Sequence, residues 1–274
     1  MTVPSAAARP AAAAGPVGAR FTDQVAVVTG AGSGIGRQIA LGLAAEGARV
    51  VAGDVDPVSL DALAAEAPLS VEVADMADER AAERLVATAV RLGGRVDLVV
   101  NNAGVLRSGP TESYSTEDWR RTIDVNLNGY FYLARAAGAV MIGQRAGVIL
   151  NVASIAGVAA SPNSAAYVTS KHGVIGLTKS LAVDWARYGI RVNALAPGLT
   201  STPLVAAIAE EAPAHYAARQ ARVPLGRAGE PREQAGVALF LLSAESSYTT
   251  GQVLVVDGGG AALYSGYEPP AVEG

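Results

Sequence analysis

From Gln24 onward the chain alternates short β-branched runs with longer alanine-rich stretches of helical period, and this alternation limits its possible folds more than any other feature. Val25–Thr29, Arg49–Gly53, Leu69–Val73, Val96–Val100, Gly147–Val152, Ile190–Leu195 and Val253–Val256 read as strands. Ile35–Glu46, Val58–Glu66, Asp78–Leu92, Thr116–Ile142, Ser164–Tyr188 and Arg232–Leu242 read as helices. Strands alternating with helices imply βαβ units and a parallel sheet covered on both faces. The strands are nearly continuous apolar runs, as doubly covered strands should be. No linker or repeat interrupts the pattern, so one α/β domain is expected over 21–263, preceded by a disordered Ala/Pro-rich arm over 1–20 and followed by an irregular tail over 264–274. Residues 200–227 break the alternation with an apolar segment around Leu204–Ile208, after a strand end where open α/β sheets bind ligands. This segment is expected to cover a binding cleft.

Composition removes several classes of chemistry. The chain has no cysteine, which excludes disulfides, thiolate catalysis and cysteine-ligated zinc. Its two histidines, His172 and His215, show no metal-binding spacing, so no metal site is expected. A net charge of −4 without runs of like charge argues against nucleic acid or anionic membranes as partners. No unbroken apolar run reaches the ~18 residues of a membrane span. Pro4, Pro10 and Pro16 spoil the N-terminus as a signal peptide. The reading is a cytoplasmic protein acting on a small molecule.

Two local patterns point to that chemistry. T-G-A-G-S-G-I-G, Thr29 to Gly36, follows the first strand and opens the first helix. Glycines there let the backbone approach a pyrophosphate, and the helix start offers free N–H groups. Asp54 ends the second strand about 20 residues on, where a carboxylate accepts from the adenosine ribose and repels a 2′-phosphate. The expected cofactor is NAD, with Arg37 the one nearby cation able to tolerate NADP. In Y-V-T-S-K, Tyr167 and Lys171 lie four apart and share a helix face. An ammonium beside a phenol favours its ionised form, which suits an acid and base near neutral pH.

The chain resembles the short-chain dehydrogenase/reductase family over essentially all of 24–260. The resemblance is carried by T-G-A-G-S-G-I-G, N-N-A-G (Asn101–Gly104), Asn126 in D-V-N-L, Ser154 in N-V-A-S, Y-V-T-S-K, Pro197–Gly198 and the final G-Q-V-L-V-V-D-G-G; twelve residues separate Ser154 from Tyr167. It implies a single Rossmann-like, doubly wound domain with a seven-stranded parallel sheet, a nicotinamide cofactor and a homotetramer. In its terms Tyr167 exchanges a proton with the carbonyl or alcohol oxygen, and Ser154 holds that oxygen. Lys171 lowers the phenol's pKa and binds the nicotinamide ribose, and Asn126 holds a relay water. Gly30, Ser33, Gly34, Ile35 and Gly36 would line the phosphates. Asp75 and Met76 would meet the adenine, and Asn102, Ala103 and Gly104 the cofactor's middle, while Asn101 braces neighbouring strands. Pro197, Gly198, Thr200 and Thr202 would hold the carboxamide and phosphate region.

The expected substrate wall is Leu106, Ser154, Ile155, Val158, Leu204, Val205 and Ile208, largely apolar and without a cation cluster. That favours a neutral secondary alcohol and its ketone. The alternatives are a 3-oxoacyl-thioester reductase, suggested by R-V-P-L-G-R-A-G-E-P, and a sugar or polyol dehydrogenase. A dinucleotide-binding scaffold without turnover is disfavoured by the intact Asn126, Ser154, Tyr167 and Lys171. His172 and His215 read as packing or exposed residues.

Overall fold

A computed structural model of the chain describes residues 19–263 and 269, the side chains of Ala207 and Ile208 excepted. The strands are β1 (Val25–Thr29), β2 (Arg49–Asp54), β3 (Ser70–Val73), β4 (Leu98–Asn101), β5 (Gly147–Val152), β6 (Ile190–Pro197) and β7 (Val253–Val256). They form one seven-stranded sheet in the order β3-β2-β1-β4-β5-β6-β7, every neighbouring pair parallel. The helices are α1 (Gly34–Ala45), α2 (Pro57–Glu66), α3 (Glu79–Gly93), α4 (Thr116–Ile123), α5 (Gly129–Gln144), α6 (Ala165–Trp185), α7 (Pro203–Glu211), α8 (Pro213–Ala221) and α9 (Pro231–Leu242).

Side chains alternate across a strand, and the two faces of the sheet show it. Ala26 and Val28 of β1 pack with Ile39 and Leu43 of α1, Leu60 and Leu63 of α2, and Ala238 and Leu239 of α9. Val25 and Val27 pack on the opposite face with Leu85 and Ala89 of α3, Leu133 and Ala137 of α5, and Leu181 of α6. Both cores are nearly fully buried, which is why the strands carry apolar residues at consecutive positions.

The expected single helix over 116–142 is corrected. A π-helical turn, Asp124–Asn128, separates α4 from α5, and α5 runs on to Gln144. Such turns cluster at functional sites because they re-aim a side chain. Here the buried Asn126 is turned toward the backbone of Val105. Gln144 in turn clips Val96 on both sides, accepting from its N–H at 2.9 Å and donating to its carbonyl at 2.7 Å just ahead of β4.

Arg20, assigned from composition to the arm, is held by Glu46 through two contacts of 2.5 and 2.6 Å, because a carboxylate pair offsets the loss of its freedom. Residues 1–18, 264–268 and 270–274 of the expected arm and tail lie outside the described residues. The interrupting segment 200–227 contains two helices, α7 and α8, split at Ala212 with Pro213 opening α8.

Candidate active site

The sheet order reverses between β1 and β4, and in open α/β sheets the crevice beyond that switch point takes the ligand. A cleft of about 290 Å³ opens there, lined from the ends of β1, β2, β4, β5 and β6 and from α6 and α7.

The glycine loop forms its floor. Gly30 and Gly34 have φ of +62° and +54°, a region that favours glycine. A Cβ on Gly30 would stand 2.7 Å from Asn102 Nδ2 and 2.8 Å from Ala103 Cα. Gly36 does not line the cleft as expected. Any Cβ there would strike Gly30 O and Asn102, so its role is close packing of helix on loop. The α1 N-terminus has no side-chain cap, whereas α2, α3 and α4 are capped by Asp56, Asp78 and Ser115. Uncapped N–H groups opening on a cleft fit an anionic pyrophosphate.

Asp54 ties this loop to β2. Its carboxylate accepts from Gly32 N–H at 2.8 Å and Asp56 N–H at 3.1 Å, and still lines the cleft. An ionised carboxylate has about four lone-pair sites, so capacity remains for hydroxyl donors. Arg37 is ion-paired with Glu66 and does not line the cleft. Asp75, expected to be free for the adenine amine, is bound by Arg121 at 3.0 and 2.8 Å. Burial would raise its pKa, but Arg121 and the Ala77 N–H outweigh that and hold the carboxyl below the usual range. Arg121 itself lines the cleft. Sequence reasoning missed it because the two partners lie 46 residues apart and no motif links them.

Asn102 braces the loop, donating to the carbonyls of Thr29 and Gly30 at 3.0 Å each. Asn101 bridges β4 to β5 through Asn151 Oδ1 at 2.9 Å, the bracing role expected of it. Ser33, Ile35, Met76, Ala103, Gly104, Pro197, Gly198, Thr200 and Thr202 line the same cleft.

Ser154, Tyr167 and Lys171 converge on its inner wall. Ser154 follows β5 and caps a short 3₁₀ turn, accepting from Ala156 N–H at 3.1 Å. Lys171 is 3% exposed and donates to the Val152 carbonyl at 2.8 Å. Burial pulls its pKa down to about 7. Burial also pushes the Tyr167 phenol up, against the opposing pull of the Ser154 hydroxyl and of Arg219. The expected lowering by Lys171 is therefore not met in the protein alone: two desolvated neighbours each favour the neutral form. Arg219, on α8, was not foreseen, since nothing in the sequence places that helix beside Tyr167.

Asn126 is fully buried and does not line the cleft. It accepts from Val105 N–H at 2.8 Å and donates to Val105 O at 2.9 Å and Ser170 Oγ at 3.2 Å. A Cβ on Gly104 would sit 3.5 Å from Asn126 Oδ1 and 3.9 Å from Lys171 Nζ, so the bare glycine leaves a gap between them.

Of the expected substrate wall, Ser154, Leu204 and Val205 line the cleft. Leu106, Ile155 and Val158 do not, and Val158 is 47% exposed. The 3₁₀ turn at Ile155–Gly157 aims successive side chains in different directions, so nearness to Ser154 in sequence is a poor guide there. The Ile208 side chain is outside the described residues.

Comparison with known proteins gives the same picture. A family model described as enoyl-(acyl carrier protein) reductase matches residues 30–261. A 3-oxoacyl-[acyl-carrier-protein] reductase of Thermotoga maritima is 43% identical over 88% of this chain and 98% of its own. A cyclohexanol dehydrogenase of an Acinetobacter species is 41% identical over 87% and 95%. The crystal structure of a gluconate 5-dehydrogenase from Burkholderia cenocepacia, in complex with NADP and tartrate, superposes with a TM-score of 0.83 at 36% identity, covering 89% of this chain and 98% of that one. With this sheet order, this glycine loop and these relatives, the chain belongs to the short-chain dehydrogenase/reductase family, oxidoreductases that bind a nicotinamide dinucleotide.

Proposed function

We propose that the protein interconverts a neutral secondary alcohol and its ketone with NAD(H). The observation that carries this reading is the convergence of Ser154, Tyr167 and Lys171 with the glycine loop and Asp54 in one cleft. When bound, the nicotinamide supplies or takes up the hydride. The chain's own residues handle the proton. Tyr167, kept protonated by burial, gives its phenolic proton to the carbonyl oxygen during reduction and recovers it from the alcohol in the reverse direction. Ser154 donates to the same oxygen and fixes its place. Lys171 binds the ribose hydroxyls and, when charged, favours the phenolate. Asn126 holds a water in the gap over Gly104, and that water links Lys171 to solvent as a proton relay.

NAD is favoured because Asp54 faces the cleft while Arg37 is engaged by Glu66. Neutrality of the substrate is favoured because the cations lining the cleft are Lys171 and Arg121, and Arg121 is paired with Asp75. A second reading, reduction of a 3-oxoacyl thioester, is favoured by the Thermotoga relative and by Arg219 acting on Tyr167 from the cover.

The test is a panel of alicyclic, sugar-type and 3-oxoacyl substrates run with both NAD and NADP, with Tyr167→Phe as control. Tyr167→Phe removes only a hydroxyl and should lower turnover by about 10²–10⁴ while NADH still binds. Full turnover in that variant overturns the assignment of Tyr167. Preference for an acyl thioester selects the second reading.

A further inference from the structure

The back of the lysine carries a contact that no family motif accounts for. Tyr130 is the second residue of α5, the helix that follows the π-helical turn. Gly129 before it lets the helix start lie tight under Met76, where a Cβ would stand 2.5 Å from the Met76 carbonyl. That approach drives Tyr130 into the protein, where it is 1% exposed. Its hydroxyl donates to the Val152 carbonyl at 3.0 Å. Lys171 Nζ donates to the same carbonyl at 2.8 Å and to the Tyr130 hydroxyl at 3.3 Å. Nζ also lies 5.1 Å from the centre of the Tyr130 ring. The three polar atoms form a closed triangle.

We propose that Tyr130 is a positioning residue for Lys171: its hydroxyl and the Val152 carbonyl hold two of the three ammonium N–H groups from behind and leave the third for the cleft. The inference rests on the reading of Lys171 as the group that serves the phenol and the ribose. Tyr130 is no proton carrier itself. Its proton ends on the Val152 carbonyl, which cannot pass it on. Burial keeps its phenol neutral, pushing it well above its ordinary range, so the hydroxyl persists as donor and acceptor.

An acceptor on the ammonium favours the charged lysine against the burial that discharges it. Among the described residues, the other acceptor in direct contact with the ammonium is the Val152 carbonyl. Tyr167 on α6 is neutral, Asn126 in the π turn is uncharged, and the adjacent His172 is exposed and bonded to the Val168 carbonyl. Asp54, Asp75 and Arg121 share the cleft, and Arg219 lies toward Tyr167, but among the described residues none is ion-paired with Lys171.

The chain has only two lysines, Lys171 and Lys179, which makes the titration directly readable. In protein labelled with ε-¹³C-lysine, Lys179→Arg assigns the Lys171 resonance. Lys171 is expected to titrate at about 7 in the wild type. In Tyr130→Phe its midpoint should fall by about one pH unit, from loss of a hydrogen bond to a charged group. In ketone reduction with NADH, kcat of that variant should fall about tenfold while the ketone KM stays put. An unchanged Lys171 titration overturns the proposal, whatever happens to kcat, because a hydroxyl that holds the ammonium cannot be removed without moving its midpoint. If thermal melting shows that Tyr130→Phe does not fold, Tyr130→Met, a flexible apolar filler, takes its place with the same expected shift. The titration is read on the protein alone. Loss of the catalytic reading would instead show as full turnover in Tyr167→Phe, so the two failures are separable.

Discussion

At the residue scale, burial decides how the site's ionisable groups behave, and Lys171 shows the consequence. A lysine drawn from its ordinary value to about 7 is protonated in the unfolded chain and neutral in the folded one between roughly pH 7 and pH 10. Stability therefore rises with pH across that window, and the full cost of burying the charge is felt below about pH 7. Lys171→Met should raise stability by about 3–5 kcal/mol at pH 6 and by little near pH 10. Thermal melts of both proteins at the two pH values check this; an equal difference at both would refute it. Asp54 carries a second expectation. Its carboxylate lines the cleft and Arg37 is bound elsewhere, so hydrogen bonds to a charged group, about 1.5–3 kcal/mol, should favour NAD tenfold to a hundredfold. Asp54→Ala should erode that ratio of kcat/KM between NAD and NADP. A wild type preferring NADP would put the discrimination elsewhere. The residues legible beforehand were those in short motifs: Tyr167, Lys171, Ser154, the glycines and Asp54. Arg121, Tyr130 and Arg219 were not, because each meets its partner only through the fold.

At the element scale, helix and strand ends do the positioning. The π-helical turn turns Asn126 onto Val105 and delivers Tyr130 to Lys171 in consecutive turns. On the far side of the sheet, Arg191 of β6 closes the C-terminal end of α9. Its guanidinium donates to the carbonyls of Leu241 and Ser243 at 3.1 and 3.0 Å and to Thr249 O at 3.1 Å. Burial pulls its pKa down to about 10, still far above neutral, so the charge remains to complement the helix end. Arg191→Leu strands those carbonyls and should cost about 2–4 kcal/mol, or a fall in Tm of about 5–15 °C for a domain of this size. A Tm within a degree of wild type would show that water replaces the guanidinium without loss. Strand positions were readable to within a residue or two because a doubly covered strand has to be apolar throughout. The break between α4 and α5 was not, because helical periodicity runs through Val125 and Leu127 unchanged and one extra residue in a turn leaves no compositional trace.

At the scale of the whole molecule, the faces left apolar set the expected assembly. Phe131 on α5 is 43% exposed, Trp119 on α4 is 39% exposed and Val183 on α6 is 79% exposed. Large apolar groups exposed on α4, α5 and α6 suit burial against a second copy, the homotetramer that the family resemblance leads one to expect. Phe131→Asp should lower the mass measured by light scattering toward dimer or monomer; an unchanged mass would move the interface to another face. The sequence by itself determined the layer architecture and the single domain, and it named the side chains proposed to react. Those depend on local pattern: apolar periodicity, glycine before a helix, and residues one helical turn apart. Only the tertiary structure decided which groups stand together in the cleft. It paired Asp75 with Arg121, set Tyr130 behind Lys171, turned Val158 to solvent and, through burial, shifted both members of the Tyr167–Lys171 pair toward their neutral forms. These are contacts and desolvation between segments far apart in the chain, and their energies exist only once the sheet and helices have closed around them.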